Sequence, residues 1–184
     1  RVRVGEGGGG VSRGVRVYVG EVAVGGAERD WLLLVGEVQA GIGRTGTLFA
    51  FQQYGILPDA VSFAKGIAGG LPMGGLLVRE KCRDVLGPGD PGSTFGRNPI
   101  CPAAAQAVLD ILDEDALAEV QRKGRYLRSA SEAMNLPCLG ATRGLGLMIG
   151  IEVKPPHSNK ELAARLARNG LLVLTAGDAL RLLP

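Results

Sequence analysis

Short apolar runs alternate with amphipathic stretches along most of this chain, and that alternation narrows the choice of fold more than any other feature. Residues 31–35 form a continuous apolar run, Trp-Leu-Leu-Leu-Val, the pattern of a strand buried in a parallel sheet. Two further short runs follow at residues 60–64 and 76–78. Residues 47–54 predict a short helix. Residues 102–113 predict a longer one, with Ala105, Val108, Leu109 and Leu112 on its apolar face. Residues 116–134 continue helically, with Leu117, Val120, Leu127 and Met134 on one stripe. Leu145, Leu147, Ile149, Ile151 and Val153 alternate with smaller or polar residues, which predicts one half-buried strand. Ser158 and Glu161 have capping-box spacing ahead of Leu162 and Leu166, and Gly170 suits a helix stop. Residues 171–174 and 180–183 predict two last strands. Strands alternating with helices give the α/β class. The helix–strand tail from about Asp113 predicts a second, smaller unit.

The first 30 residues break the pattern. They hold nine Gly, eight Val and five Arg with no helical period, and both Gly and Val disfavour helix. The rest of the composition is that of a globular chain, 46% hydrophobic and 21% charged. A net charge of +3 with both signs interspersed leaves no nucleic-acid footprint. No apolar run reaches the roughly 18 residues of a membrane span, and the first ten residues lack the order of a secretion signal. Cys82, Cys101 and Cys138 lie far apart. Their spacing suits no metal site, and an odd number of thiols fits a reducing cytoplasm better than a disulfide scaffold. The chain starts without Met and stops at Leu182-Leu183-Pro184 in mid-pattern. Both ends read as truncations of a longer protein.

Three stretches carry chemistry. Gly41-Ile42-Gly43-Arg44-Thr45-Gly46 fits G-x-G-x-x-G after a strand, and Asp59 follows near the place of a ribose-binding acid. That pattern predicts either a dinucleotide site or a tight glycine turn. Lys65 ends the apolar run Val61-Ser62-Phe63-Ala64 and is followed by Gly66. A lysine at the mouth of a buried strand can lose its proton by desolvation and form a Schiff base; at a strand end it can equally be solvated. Ser93-Thr94-Phe95-Gly96 lies in a Gly/Pro-rich loop ahead of a helix, placed either to hold a phosphate or to form a cap and turn.

Taken together, three segments resemble one family. They are Gly36-Glu37-Val38-Gln39-Ala40-Gly41-Ile42-Gly43-Arg44-Thr45-Gly46, then Pro58-Asp59-Ala60-Val61-Ser62-Phe63-Ala64-Lys65-Gly66, then Gly92-Ser93-Thr94-Phe95-Gly96-Arg97-Asn98-Pro99. In this order they resemble the class III aminotransferases. Arg143-Gly144-Leu145-Gly146-Leu147-Met148-Ile149-Gly150 and Arg181-Leu182-Leu183-Pro184 look like the C-terminal domain of that family, and Gly5-Glu6-Gly7-Gly8 like its Gly-Glu-Gly-Gly turn. The resemblance implies the type I fold of pyridoxal-phosphate enzymes, with residues 1–112 as the second half of the large cofactor-binding domain. Residues 113–184 would be a truncated small C-terminal domain. It implies pyridoxal 5'-phosphate as cofactor and a homodimer whose active sites are shared between subunits. The implied reaction moves an amino group from N-acetylornithine to 2-oxoglutarate; the alternatives are ornithine or 4-aminobutyrate as donor, or a catalytically impaired remnant of the fold.

The roles follow by resemblance. Lys65 matches the lysine that holds the cofactor and shuttles a proton. Gln39 matches the residue beside the pyridine O3′. Thr94, with Ser93, matches the phosphate contacts that reach into the neighbouring subunit's site. Glu6 and Arg181 match a pair that gates the two substrates. Some positions depart from the family. Gly36 stands where the family has the Asp that pairs with the pyridine nitrogen, a loss that implies a weaker electron sink. Arg97 replaces a glycine and Pro91 a histidine. The family's N-terminal half, with its own phosphate loop, ring-stacking aromatic and substrate arginine, has no counterpart here, which predicts that this chain alone is inactive.

Overall fold

A computed structural model describes residues 16–90, 92–96 and 98–184. Among these, α1 (Arg16–Glu28) opens the chain. The Gly- and Val-rich composition argues against a helix there, and tertiary packing overrides it. Val19 is buried against Val35 and Tyr54, so one side chain of a weak helix reaches a real core.

The first sheet has the order β1-β2-β3. β1 (Leu34–Gly36) runs parallel to β2 (Ala60–Ala64), and β3 (Gly74–Val78) lies antiparallel on the other side. A parallel pair needs a long connection, which here contains a 3-10 helix, Ala50–Tyr54, in place of the longer helix expected over residues 47–54. β1 is shorter than its apolar run. Leu33 is diverted to Asp59: its N–H donates to Oδ2 at 2.8 Å, and its carbonyl accepts from the Asp59 N–H at 2.8 Å. Val35 is 3% exposed but Leu34 is 56% exposed, so this strand is buried on one face among the described residues.

Asp59 ties the three strands together at the amino end of β2. Its Oδ1 lies 2.9 Å from Lys81 Nζ and 3.4 Å from Arg79. Burial pushes its carboxyl up, but the Leu33 N–H and the two cations outweigh burial and hold it below the usual carboxylate range. A depressed folded-state value contributes stability above the unfolded-state value of about 3.9, and that contribution disappears as pH falls through the folded one. Asp59→Ala should cost about 1–3 kcal/mol at pH 7, because it strands a part-buried N–H and two half-exposed cations. Urea unfolding of both proteins from pH 7 to pH 3 checks this. The gap should close in acid, and a gap constant with pH would rule out the ion cluster as its source.

α2 (Ile100–Ile111) and α3 (Glu114–Ala133) are separated only by Leu112 and Asp113. Asp113 accepts the Ala116 N–H at 2.8 Å, and Glu114 and Asp115 add favourable charge to the first turn of α3. The second sheet is antiparallel, in the order β4-β5-β7-β6. Where alternation predicts a single strand over residues 145–153, the chain makes a hairpin of β4 (Leu139–Leu145) and β5 (Met148–Val153). Gly144 and Gly146 both have positive φ, and a Cβ on Gly144 would lie 2.0 Å from the Met148 carbonyl oxygen. The glycines therefore permit a tight return that the hydrophobic period alone conceals.

α4 (Asn159–Arg168) follows Ser158, whose side chain makes no capping hydrogen bond, so the capping box does not form. The stop at Gly170 does form. Gly170 has φ 85, its N–H donates to the Ala167 carbonyl, and the Leu171 N–H donates to that of Leu166, the Schellman pattern. β6 (Leu174–Ala176) and β7 (Ala179–Leu182) complete the sheet, with β6 starting later than its apolar run. Ile151 and Leu180 lie on the face toward α3 and α4, where they line a cavity of about 490 Å³ with Leu127, Leu162 and Leu166. On the opposite face, Leu145 packs on the Val19–Val35–Tyr54 cluster and Met148 packs on Ala40 and Ala50. No helix among the described residues is long and apolar enough to cross a membrane.

Candidate functional site

Open α/β sheets bind ligands in the crevice outside the carboxyl ends of their parallel strands. Here β1 and β2 end side by side, with Gly36 paired to Ser62. Lys65 is the first residue past β2. It is exposed, it begins the 3-10 turn Lys65–Ala68, and its φ is 55. A non-glycine residue held in the left-handed region costs about 1–3 kcal/mol and persists only where its surroundings fix it. The turn is fixed by Ile67 and Ala68, both buried against Ala105 of α2, and by the Gly69 N–H donating to the Gly66 carbonyl.

Gly36 is exposed, and among the described residues a Cβ there would meet only Ser62 Oγ, at 3.8 Å. The neighbouring acid does not take the place of the missing carboxylate. Glu37 is 1% exposed and accepts hydrogen bonds from the N–H groups of Ala50 (3.0 Å) and Phe51 (2.8 Å). Burial pushes its carboxyl up, and those two N–H groups pull it part of the way back. Glu37 is a brace for the 3-10 helix. Sequence reasoning passed over it; the available signal was an acid set between a strand end and the apolar stretch at residues 48–51. Gln39 sits half-buried in the following turn, next to Ala40, which packs on Met148.

The glycines of Gly41-Ile42-Gly43-Arg44-Thr45-Gly46 serve close packing. A Cβ on Gly43 would meet Leu112 Cδ2 at 2.8 Å, and one on Gly46 would meet Gln121 Cγ at 2.2 Å. Gln121 Nε2 donates to the Gly46 carbonyl at 2.8 Å. The Arg44 carbonyl accepts the Leu147 N–H, and the Arg44 guanidinium donates to the Pro184 carbonyl. The turn is a seat for α3 and the β4–β5 hairpin, and no long helix follows it. Asp59 lies at the amino end of β2, opposite Lys65, in its ion cluster. Both halves of the dinucleotide pattern are thus engaged in other contacts.

Ser93 and Thr94 lie on an exposed turn, closed by the Gly96 N–H donating to the Ser93 carbonyl at 3.1 Å. Asn98 links this turn to α2: its Nδ2 donates to the Phe95 carbonyl and its Oδ1 accepts the Cys101 N–H. Arg181, on β7, pairs with Gly150 and so shares the sheet face of Met148, the face turned toward Ala40. Arg143 lies across Gly150 on that face and pairs with Asp178 at 2.9 Å. Glu6, the expected partner of Arg181, lies outside the described residues, as do Pro91 and Arg97. The structure therefore brings Gly36 and Lys65 to one sheet end with Gln39 in the adjoining turn. It sets Arg181 on the face toward that turn and leaves Ser93 and Thr94 exposed.

Comparison with known proteins gives this geometry a family. The model of the family described as Aminotransferase class-III matches residues 4–184. The acetylornithine aminotransferase of Haemophilus ducreyi is 49% identical over 156 residues, covering 85% of this chain and 39% of that protein. That of Mycobacterium tuberculosis is 44% identical over 159 residues, covering 86% and 40%. Among solved structures, the ornithine aminotransferase of Toxoplasma gondii superposes with a TM-score of 0.93 at 30% identity, covering 100% of this chain and 45% of that one. The N-acetylornithine aminotransferase of Stenotrophomonas maltophilia superposes with a TM-score of 0.87 at 32% identity, covering 99% and 49%. The chain thus spans about two fifths of the length of these curated relatives. On the strength of its matched motifs and its superposition, the chain belongs to the class III aminotransferase family.

Proposed function

We propose that this chain is the lysine-bearing part of a pyridoxal-phosphate-dependent transaminase that moves an amino group from N-acetylornithine to 2-oxoglutarate, in arginine biosynthesis in the cytoplasm. Class III aminotransferases use pyridoxal phosphate. When bound, that cofactor supplies an aldehyde for the amino group and a ring that accepts electrons. The observation that carries the reading is Lys65, exposed and strained at the carboxyl end of β2, beside the end of β1. The fit to the cofactor is good at the lysine. It is incomplete at Gly36, where β1 offers the ring nitrogen no acid.

Each residue has a part. The Lys65 amine, once neutral, would hold the cofactor at its aldehyde carbon with loss of water, and would carry a proton to and from the substrate Cα. Gln39 donates a hydrogen bond to the ring oxygen. Arg181 takes a substrate carboxylate on its planar fork, and Glu6 covers it in the other half-reaction. Ser93 and Thr94 donate to phosphate in the site of a second copy, so the working unit is a homodimer. Residues 1–112 form the larger domain of this piece and residues 113–184 the smaller, meeting at the glycine turn.

The donor preference rests on the relatives, which are named for acetylornithine at 41–49% identity. A chimera in which this chain replaces the matching stretch of the Toxoplasma gondii ornithine aminotransferase tests it. With 2-oxoglutarate as acceptor, kcat/KM for N-acetylornithine should exceed that for ornithine or 4-aminobutyrate by at least about tenfold, the discrimination one well-placed group provides. Equal values, or a preference for 4-aminobutyrate, would refute the assignment of donor.

A further inference from the structure

Lys65 is not the only strained side chain near the strand ends. Ile42 also has positive φ, 54, and for a β-branched residue this is a severe departure from allowed backbone. Its flanking glycine Gly43 has φ 78, so the backbone passes through two consecutive left-handed residues. Asn or Gly at position 42 would adopt that conformation with little strain. An isoleucine there keeps the strain, and its side chain has a definite destination. It packs on the buried cluster of Ile67, Ala68 and Ala105, alongside Phe63 and Met73. Its Cβ lies 3.9 Å from the place a Cβ would occupy on Gly66, the residue next to Lys65. Two strained residues from separate loops therefore meet at one turn.

We infer that Ile42 is a positioning residue for Lys65: it packs on the Lys65–Ala68 turn beside Gly66 and so holds the Lys65 backbone in its left-handed conformation. The physical logic is mutual bracing. A short 3-10 turn has poor hydrogen-bond geometry and would relax by itself, carrying Lys65 to an ordinary φ. α2 supports the turn through Ala105. Ile42 adds a rigid side chain to the same cluster, its χ1 freedom already restricted by β-branching. The direction of the Lys65 side chain follows from its φ, so support at Gly66 is support for the amine. This inference rests on the reading of Lys65 as the cofactor lysine.

The test uses this chain with Ile42→Leu, Ile42→Ala and Ile42→Gly variants. Pyridoxal 5'-phosphate is added over a range of pH, borohydride fixes the product, and peptide mapping measures the tag at Lys65 relative to Lys81 and Lys123. Melting temperature is recorded alongside. In the parent chain Lys65 should be tagged fastest. Ile42→Leu should keep that lead. Ile42→Ala and Ile42→Gly should each reduce it by about tenfold, the scale of the backbone strain being released. Ile42→Gly should nevertheless melt above Ile42→Ala, since glycine tolerates the left-handed backbone. A lead that follows melting temperature, or one unchanged in the glycine variant, overturns the positioning role. If Lys65 has no lead in the parent chain, the reading of Lys65 itself fails.

Discussion

Replacing Lys65 with alanine is expected to lower transaminase turnover by at least about 10²- to 10⁴-fold, the contribution of a positioned proton-transfer group. The loss should be larger still, because the same amine also bonds the aldehyde. The assay is the chimera described above, with tagging on this chain as the independent readout. Borohydride reduction should place the pyridoxyl group on Lys65 in the parent and on no single lysine in the variant. A tag on Lys81 or Lys123 in the parent would refute the assignment; Lys81 already has an ion pair with Asp59. Fold and function can be separated at this position. Lys65 has φ 55, so Lys65→Gly removes the strain as well as the amine. It should melt above Lys65→Ala while turning over no faster. Inactivation through unfolding would instead make Lys65→Gly turn over faster than Lys65→Ala.

The second large effect is a gain. Gly36→Asp should raise turnover of the chimera by about ten- to a hundredfold, the equivalent of the roughly 1.5–3 kcal/mol that a hydrogen bond to a charged group contributes. The position admits the side chain. Its backbone lies outside the left-handed region, and among the described residues a new Cβ has only Ser62 Oγ within 4 Å, at 3.8 Å. Glu37 does not already do this work, because its carboxylate is spent on the N–H groups of Ala50 and Phe51. Gly36→Asn has the same size without the charge and serves as control. If both substitutions leave the rate unchanged, some other group faces the ring nitrogen. If both raise it equally, bulk rather than charge is responsible.

Several elements were legible because one local cause decides them. β2 and its lysine follow from an apolar run that ends at a charge and a glycine. α3 follows from a long amphipathic stripe. The Gly170 stop follows from a residue free to take positive φ. The errors have a common source, which is competition from contacts distant in sequence. α1 forms where propensity opposes it because Val19 finds a core with Val35 and Tyr54. Residues 31–33 are held outside the strand because Asp59 captures Leu33. Alternation across residues 145–153 conceals a hairpin, since hydrophobic period reports which faces are buried and not where the chain turns back.

The candidate site divides in the same way. Sequence by itself determined the α/β class, the lysine at a strand end, and a set of motifs specific enough to fix the family, because residue type and spacing are local and survive without coordinates. Only the tertiary structure decided what the glycines of residues 41–46 are for. The pattern suits a phosphate, and the space beside it is filled by Leu112 and Gln121. Only the tertiary structure showed that Asp59 and Lys65 stand at opposite ends of one strand, that Glu37 faces inward as a brace, and that Ile42 and Lys65 are strained together. These facts depend on which surfaces meet, and a linear pattern carries the period of each segment but not the identity of its neighbour.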